Sequence, residues 1–335
     1  MWYPVDTSTP SLSTATSAVC VIIAAYNCQE TIIRAIASAL AEPEATEVVV
    51  VDDASTDDTV ATAHSADDGS GRLRILTQLQ NAGPSAARNR AIQESQAPWI
   101  AILDSDDFFM PGRLKGLLAF AQQADLIADD LWQVPEDNVT GPRRSLLGTS
   151  LLAPQSITFA EFVMSNVTRA DRQRGELGFI KPLIRRQFLT EYRITYQEQM
   201  RLGEDYELYA RALAMGGRLL LVPAQGYVSV IRLHSLSGRH SETDLLHLRD
   251  CDHALMKIEH LSPVDKQAIR QHYLSIDCRL QWRLLIIAIK NRKMGDIIST
   301  FLRPFPVPWY LVKQLALEVY IRSFPKKPSN ISINS

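Results

Sequence analysis

A chain of 335 residues with 46% apolar and 21% charged residues has the composition of a folded globular protein, which excludes intrinsic disorder as its main state. Its formal net charge of -2 gives no reason to expect a nucleic-acid partner. The charge is unevenly spread, however: from Pro263 onward 12 Lys and Arg face 4 Asp and Glu, a basic tail on an acidic body. Cys20, Cys28, Cys251 and Cys278 form no CxxC pair, so a reducing compartment and small core roles are expected. The first 17 residues hold no Lys or Arg and no apolar h-region, so they read as a loose arm rather than a secretory signal. The longest apolar run, LLIIAI at 284–289, falls far short of the roughly 20 residues that span a bilayer.

VCVIIAAYN (19–27) is a nearly continuous apolar, β-rich run, and CQETIIRAIASAL after it places apolar residues at 32, 33, 36, 39 and 40, a helical spacing. TEVVVVDDAS (46–55) repeats the form, with Ser55–Asp58 expected to cap the helix that follows. RLRILTQ (72–78) leads to NAGPSAARNRAIQES, and PWIAILDSDD leads to PGRLKGLLAFAQQ. Strands apolar on both faces, alternating with amphipathic helices, predict an α/β fold with a mostly parallel central sheet covered on both sides. Past residue 124 the alternation loosens. ADLIADDLWQV is expected as one strand, 135–175 as mostly loop with a short helix, and GEDYELYARALAMGG (203–217) as a helix stopped by two glycines. RLLLVP and GYVSVIRLH are expected as strands closing the domain near residue 234, with helices from there to 323. The expected division is therefore an N-terminal arm at 1–17, an α/β domain at 18–240 and a basic helical region at 241–335.

Ligands of open α/β sheets gather outside the carboxyl ends of the strands. Tyr26 and Asn27, Asp52 and Asp53, Asn81 to Pro84, and Asp104 to Asp107 all fall on that edge. Asp104 and Asp106 face the same way if extended geometry continues past the strand, and two hard oxygen ligands there suit Mg²⁺ or Mn²⁺. The alternative is a solvated turn whose carboxylates cap the next helix. Asp53 ends the second strand, where it can accept from a ribose or a base N–H, and Gly83 precedes a helix whose amides can meet phosphate. No GxGxxG or GxxxxGK[ST] is present, so neither a dinucleotide fingerprint nor a P-loop is supported. Glu204 and Asp205 open a helix, either as anions at its positive end or as a general base. His234, in RLHSLSGRHS, is a further metal ligand or a loop histidine.

VIIAAYN, VVVVDDASTDDT, NAGPSAARNRAI, LDSDDFFMPGRL and LGEDYELYARAL, in that order across about residues 19–235, resemble the motif set of family 2 glycosyltransferases with the GT-A fold. The resemblance implies a Rossmann-like GT-A catalytic domain at 18–240, a nucleotide-sugar donor that is usually UDP-linked, a divalent metal, and inversion by direct displacement. Carried over, Ala24 and Tyr26 border the nucleotide and Asp53 contacts the uracil and ribose side. Gly83 and Arg88 belong to the nucleotide-sugar site, Asp104 lies near the ribose, and Asp106 holds Mg²⁺ or Mn²⁺ on the diphosphate. Asp205 is the expected base with Glu204 as neighbour or substitute, and His234 reaches the metal.

The QxxRW motif of processive synthases is absent, which favours a hexosyltransferase adding a single sugar. Within the family the chain looks similar to the succinoglycan type of exopolysaccharide glucosyltransferase. That implies UDP-glucose, a β-linkage and a lipid-linked oligosaccharide acceptor, in exopolysaccharide or lipopolysaccharide assembly. It also implies a bacterial, cytoplasmic enzyme, peripheral on the inner face of the plasma membrane. FLRPFPVPWYLVKQLALEVYIRSFPKKP (301–328) combines aromatic, apolar and basic residues, and either lies on an anionic membrane surface or packs on the catalytic domain. The rival readings are a catalytically inactive nucleotide-sugar sensor or membrane scaffold, and a nucleotidyltransferase, which usually wants a basic, glycine-rich phosphate loop.

Overall fold

The computed structural model describes residues 17–148, 151–167, 177–232 and 241–323. The expected loose arm, apart from its last residue, lies outside these, as do His234 and residues 324–328 of the basic tail. The first half runs β1 (Val19–Ala25), α1 (Ile32–Leu40), β2 (Ala45–Asp52), α2 (Thr59–His64), β3 (Leu73–Thr77), α3 (Pro84–Gln93) and β4 (Trp99–Ile102). It continues through β5 (Phe108–Phe109), α4 (Arg113–Leu118), β6 (Leu126–Asp129), β7 (Trp132–Pro135), β8 (Arg144–Ser145), β9 (Gln155–Ile157) and α5 (Phe159–Ser165). Then come β10 (Leu183–Arg185), α6 (Arg186–Glu191), α7 (Glu204–Ala214), β11 (Leu219–Val222) and β12 (Tyr227–Ile231). Four helices end the described chain: α8 (Glu242–Leu255), α9 (Pro263–Lys290), α10 (Met294–Phe301) and α11 (Val307–Ser323).

The main sheet has eight strands in the order β3-β2-β1-β4-β10-β6-β11-β9. It is parallel except at β10, which runs against both β4 and β6, and at β9, which runs against β11. The period of two along β1 and β2 splits the core into two layers. Val21, Ile23, Val48 and Val50 pack with Ile32 and Ile36 of α1, whereas Cys20, Ile22, Val49 and Val51 pack with Ala87 and Ala91 of α3. That second layer also takes in Phe162 of α5, Leu208 of α7, Leu245 and Leu248 of α8, and Ile269 and Ile276 of α9. The C-terminal helices are thus fastened to the sheet through α5 and α7. A buried polar link reinforces them: Tyr206 donates to Asp252 at 3.0 Å, and the ring of His272 meets the other oxygen of Asp252 at 2.7 Å. All four cysteines are free, and all but Cys251 are buried.

The strands depart from the sequence expectation in several places: β5 is not among those expected, β8 and β9 fall within 135–175, expected as mostly loop with a short helix, and two further departures bear on the site. The stretch expected as one strand over 124–134 is two, β6 in the main sheet and β7 in a second sheet of order β5-β12-β7-β8. The break falls at Asp129 and Asp130 because Asp129 turns its carboxylate into the interior. There Arg113 grips Oδ1 through Nη2 at 2.7 Å and Nε at 3.1 Å, while Oδ2 accepts from the amides of Gln225, Gly226 and Tyr227. β10 is the other departure: three residues following a proline, within a stretch that carries no alternating pattern.

The Arg113–Asp129 pair joins the two sheets. Both side chains are 0% exposed, and Arg113 also donates to the carbonyl of Lys181 at 2.6 Å and lies over the rings of Phe109 and Tyr227. Removing one partner of a buried ion pair strands the other charge in a low dielectric. Arg113→Met is therefore expected to cost about 3–5 kcal/mol of stability, measured by urea unfolding followed by circular dichroism. A variant within about 1 kcal/mol of the parent, the range of an exposed pair, would contradict this role.

Candidate active site

The carboxyl ends of β1, β2 and β4 open on one rim, and loops rather than free side chains shape much of it. Tyr26 is exposed at the end of β1, one residue beyond half-buried Ala24 and buried Ala25. Asn27, at φ 46°, accepts from the amide of Thr56 at 2.8 Å, and its own amide donates to Ser55 Oγ at 2.9 Å. Ser55 therefore ties the first loop to the second instead of capping α2, and it is Asp57 that accepts from the Thr59 amide at 3.1 Å. Asp53 is buried: its carboxylate accepts from Gln78 Nε2 and the Ala82 amide at 2.7 Å and from the Gly83 amide at 2.6 Å. The groups expected to meet a nucleotide, Asp53 and Gly83, hold each other and fix the entry to α3. Gly83 has φ 94°, so the backbone conformation calls for glycine.

Helix α3 then delivers two consecutive polar residues to the centre. Asn89 grips the backbone of Tyr196 on both sides, donating to its carbonyl at 2.9 Å and accepting from its amide at 2.8 Å. Arg88 reaches three carboxylates: Nη2 meets Asp104 at 2.8 Å, while Nη1 meets Glu204 at 3.1 Å and Asp205 at 3.2 Å. Its guanidinium lies over the Tyr196 ring, 5.3 Å from the centroid. Opposite, Lys181 bridges Asp205 at 2.6 Å and Asp104 at 2.9 Å. The Tyr196 hydroxyl adds a third donor to Asp205 at 3.0 Å. Gly203, at φ 70°, lets the chain turn sharply so that Glu204 and Asp205 fall in the first turn of α7, where the helix dipole also favours their charge.

The electrostatics follow from this packing. Burial would raise the Asp104 carboxyl, but Lys181 and Arg88 outweigh it and draw it down to about 2. Burial would likewise lower Lys181 and Arg88, and the surrounding carboxylates instead hold both above their ordinary values. Burial and the charge of Asp205 push Tyr196 well up, so it remains a hydroxyl donor.

Asp104 and Asp106 do not converge. β4 ends at Ile102, and the turn that follows, closed by the Asp107 amide on the Asp104 carbonyl at 3.1 Å, sends the three carboxylates different ways. Asp104 points inward to Arg88 and Lys181. Asp107 is buried and accepts from the Tyr227 hydroxyl and the Val230 amide, both at 2.8 Å, pinning β12 to the turn. Asp106 stays at the rim with 35% of its side chain exposed, and its cationic neighbour Arg232 is 3.5 Å away. Burial first, and then the charge of Asp104, raise its carboxyl above the usual range, the state of an anion short of a counter-ion.

Among the described residues no cluster of three or more His, Cys, Asp or Glu side chains forms a metal cage. One under-compensated carboxylate at an open rim does fit Mg²⁺ or Mn²⁺, which take few protein ligands and complete their shell with water and phosphate. Lys181 and Tyr196 were not apparent from the sequence; the only signal for Lys181 is a lone charge in the apolar stretch LGFIKPLI.

Comparison with known proteins bears on the family and the fold. The family description "Glycosyl transferase family 2" matches residues 20–185. The chain is 44% identical over 282 residues to the succinoglycan biosynthesis protein ExoU of Rhizobium meliloti, covering 82% of this chain and 80% of that protein. It is 34% identical over 105 residues to WfaP of Escherichia coli, a UDP-Glc:α-D-GlcNAc-diphosphoundecaprenol β-1,3-glucosyltransferase, covering 31% of this chain and 41% of WfaP. The crystal structure of S. aureus TarS 1–349 in complex with UDP-GlcNAc superposes with a TM-score of 0.65 at 18% identity, covering 91% of this chain and 87% of that one; at that identity the likeness speaks for the GT-A fold. The mixed sheet, the carboxylates gathered at its rim and the extended similarity to ExoU lead to one conclusion: this chain belongs to glycosyl transferase family 2 and is a glycosyltransferase.

Proposed function

We propose that the chain transfers a single sugar, glucose, from a UDP-linked donor to a lipid-linked oligosaccharide, with inversion, in the assembly of a succinoglycan-like exopolysaccharide or a lipopolysaccharide. The observation that carries this reading is the division of labour among the rim carboxylates: Asp205 is buried and oriented by three donors, whereas Asp106 is under-compensated at the surface. The similarity to ExoU supports the pathway, and the similarity to WfaP supports UDP-glucose, a β-linkage and a diphosphate-lipid acceptor. We place the enzyme at the inner face of the plasma membrane, where such an acceptor presents its sugar.

In this reading Asp205 is the base and Oδ2 its reacting atom. Oδ1 accepts from Arg88 and Tyr196, while Oδ2 accepts from Lys181. A carboxylate oxygen offers about two acceptor sites, so Oδ2 keeps one for the proton of the attacking hydroxyl. Lys181 holds that oxygen in place while Arg88 and Tyr196 hold the other, and Glu204, with Arg88 as its ion-pair partner, is the neighbour or substitute of Asp205. Asp106 would hold Mg²⁺ or Mn²⁺, with His234 as a second ligand; when bound, the metal neutralises charge building on the departing diphosphate. Asp104, Arg88 and the Asp53–Gly83 loop shape the nucleotide side, with Ala24 and Tyr26 on its border.

Asp106→Asn is expected to abolish transfer and to remove the Mn²⁺-dependent part of UDP-glucose binding. Asp205→Asn is expected to lower turnover by about 10²–10⁴-fold, the usual contribution of a general base, with donor binding nearly intact. Calorimetry with and without Mn²⁺, alongside turnover, checks both; wild-type turnover in either variant would sink the assignment. Lys181→Met, which leaves Arg88 as the cation shared by Asp104 and Asp205, is expected to lower kcat by about 10²-fold through misplacement of the base. The donor KM should change little and Lys181→Arg should restore part of the rate, whereas a change confined to KM would place Lys181 in donor binding instead.

A further inference from the structure

The described chain ends in a helical pair whose outer side is apolar and basic. α10 and α11 bury their inner sides against α9: Leu285 and Cys278 pack with Val307 and Leu311, and Ile297, Phe301 and Tyr310 close over them. Facing away are Met294, Ile298, Leu302, Phe305, Trp309 and Val312, all exposed, with Leu302 and Phe305 at 78%. Met294 and Ile298 fall four apart in α10, flanking the packing residues Ile297 and Phe301; Leu302 and Phe305 lie between the helices; and Trp309 and Val312 fall three apart in α11, on the side opposite Val307 and Leu311. Exposed apolar side chains in such number on one segment mark an interaction surface rather than ordinary surface scatter.

The charge around this stripe selects the partner. Lys290, Arg292, Lys293, Arg303 and Lys313 are exposed among or beside it, against Asp296 and Glu318 as the only acidic residues between 287 and 320. Lys313 sits over the Trp309 ring at 5.4 Å, placing an ammonium and an indole side by side, the pairing suited to a headgroup boundary. Among the described residues no helix is long and apolar enough to cross a membrane. A segment that is apolar on one side, ringed by cations and too short to span lies in the interface plane.

We propose that the outer side of α10 and α11, from Met294 to Val312, is a docking face for an anionic phospholipid bilayer. The proposal deepens the lipid-linked acceptor reading and rests on it for its purpose, though its test does not. α9 connects this face to the catalytic helix through the His272–Asp252–Tyr206 contacts, one residue from Asp205, so docking fixes the active site at a set orientation to the surface where a lipid-linked acceptor resides.

The test is sedimentation of the full chain with vesicles of mixed phosphatidylglycerol and phosphatidylcholine, or of phosphatidylcholine alone, at low and high salt. Emission quenching by lipids brominated in their acyl chains is read in parallel. The chain is expected to bind the anionic vesicles and to release in high salt, and quenching is expected to fall in Trp309→Phe. Leu302→Glu combined with Phe305→Glu should weaken vesicle binding at least about tenfold, since it places charge in the apolar boundary, while metal-dependent hydrolysis of UDP-glucose stays at the parent rate. Failure of an active enzyme to bind anionic vesicles, or undiminished binding by the double variant, would overturn the proposal. So would a dimer in light scattering that the double variant dissolves without any vesicle binding, which would give the face to a second copy. Vesicle binding without donor hydrolysis upholds the face and counts against the donor reading alone.

Discussion

Two buried cations hold this candidate site together. Arg88 arrives from α3 and Lys181 from the segment before β10, and between them they compensate Asp104 at the end of β4 and Glu204 and Asp205 at the start of α7. Carboxylates so close in a low-dielectric setting would otherwise protonate or push apart. With the cations in place, four stretches distant in sequence are locked to one point, and each locks the others. The arrangement is costly to desolvate and strongly destabilised by the loss of any member, so it specifies one geometry in a way that apolar packing alone would not.

A second buried pair supports the first from below. Arg113 and Asp129 sit where the two sheets meet; Arg113 holds the backbone carbonyl of Lys181, and Asp129 holds the amide of Tyr227. Tyr227 in turn donates to Asp107 and accepts from the Asp104 amide. The position of the Lys181 ammonium and the direction of the turn after β4 are therefore set by one interior ion pair. This explains why the rim carboxylates part company: the frame draws Asp104 and Asp107 inward and leaves Asp106 at the surface, with Arg232 3.5 Å away.

The parallel half of the fold was legible because its strands are apolar on both faces and its helices are not, as VCVIIAA and EVVVVD show beside IIRAIASAL. The family was legible for a related reason: its motifs are the strand ends and helix starts that such a sheet brings to one edge, and Asp104, Asp106, Arg88 and Asp205 all lie there. What pattern could not supply was the pairing. β10 is three residues long and antiparallel, so no periodicity announces it, and Lys181 enters the site only because that short strand inserts between β4 and β6. The direction of Asp104 relative to Asp106 depends on a turn closed by a backbone hydrogen bond, which side-chain alternation cannot foresee. ADLIADDLWQV read as one strand because the partner of Asp129 is sixteen residues upstream.

We propose that this rim of carboxylates and buried cations works on a sugar nucleotide with a divalent metal. The measurement that bears on it most directly needs no acceptor: release of UDP by the purified chain from a panel of UDP-sugars, with Mn²⁺ and then with EDTA. The account predicts slow release from UDP-glucose in Mn²⁺, lost on chelation and lost in Asp106→Asn. Release that is indifferent to both, or no release from any UDP-sugar, would contradict it.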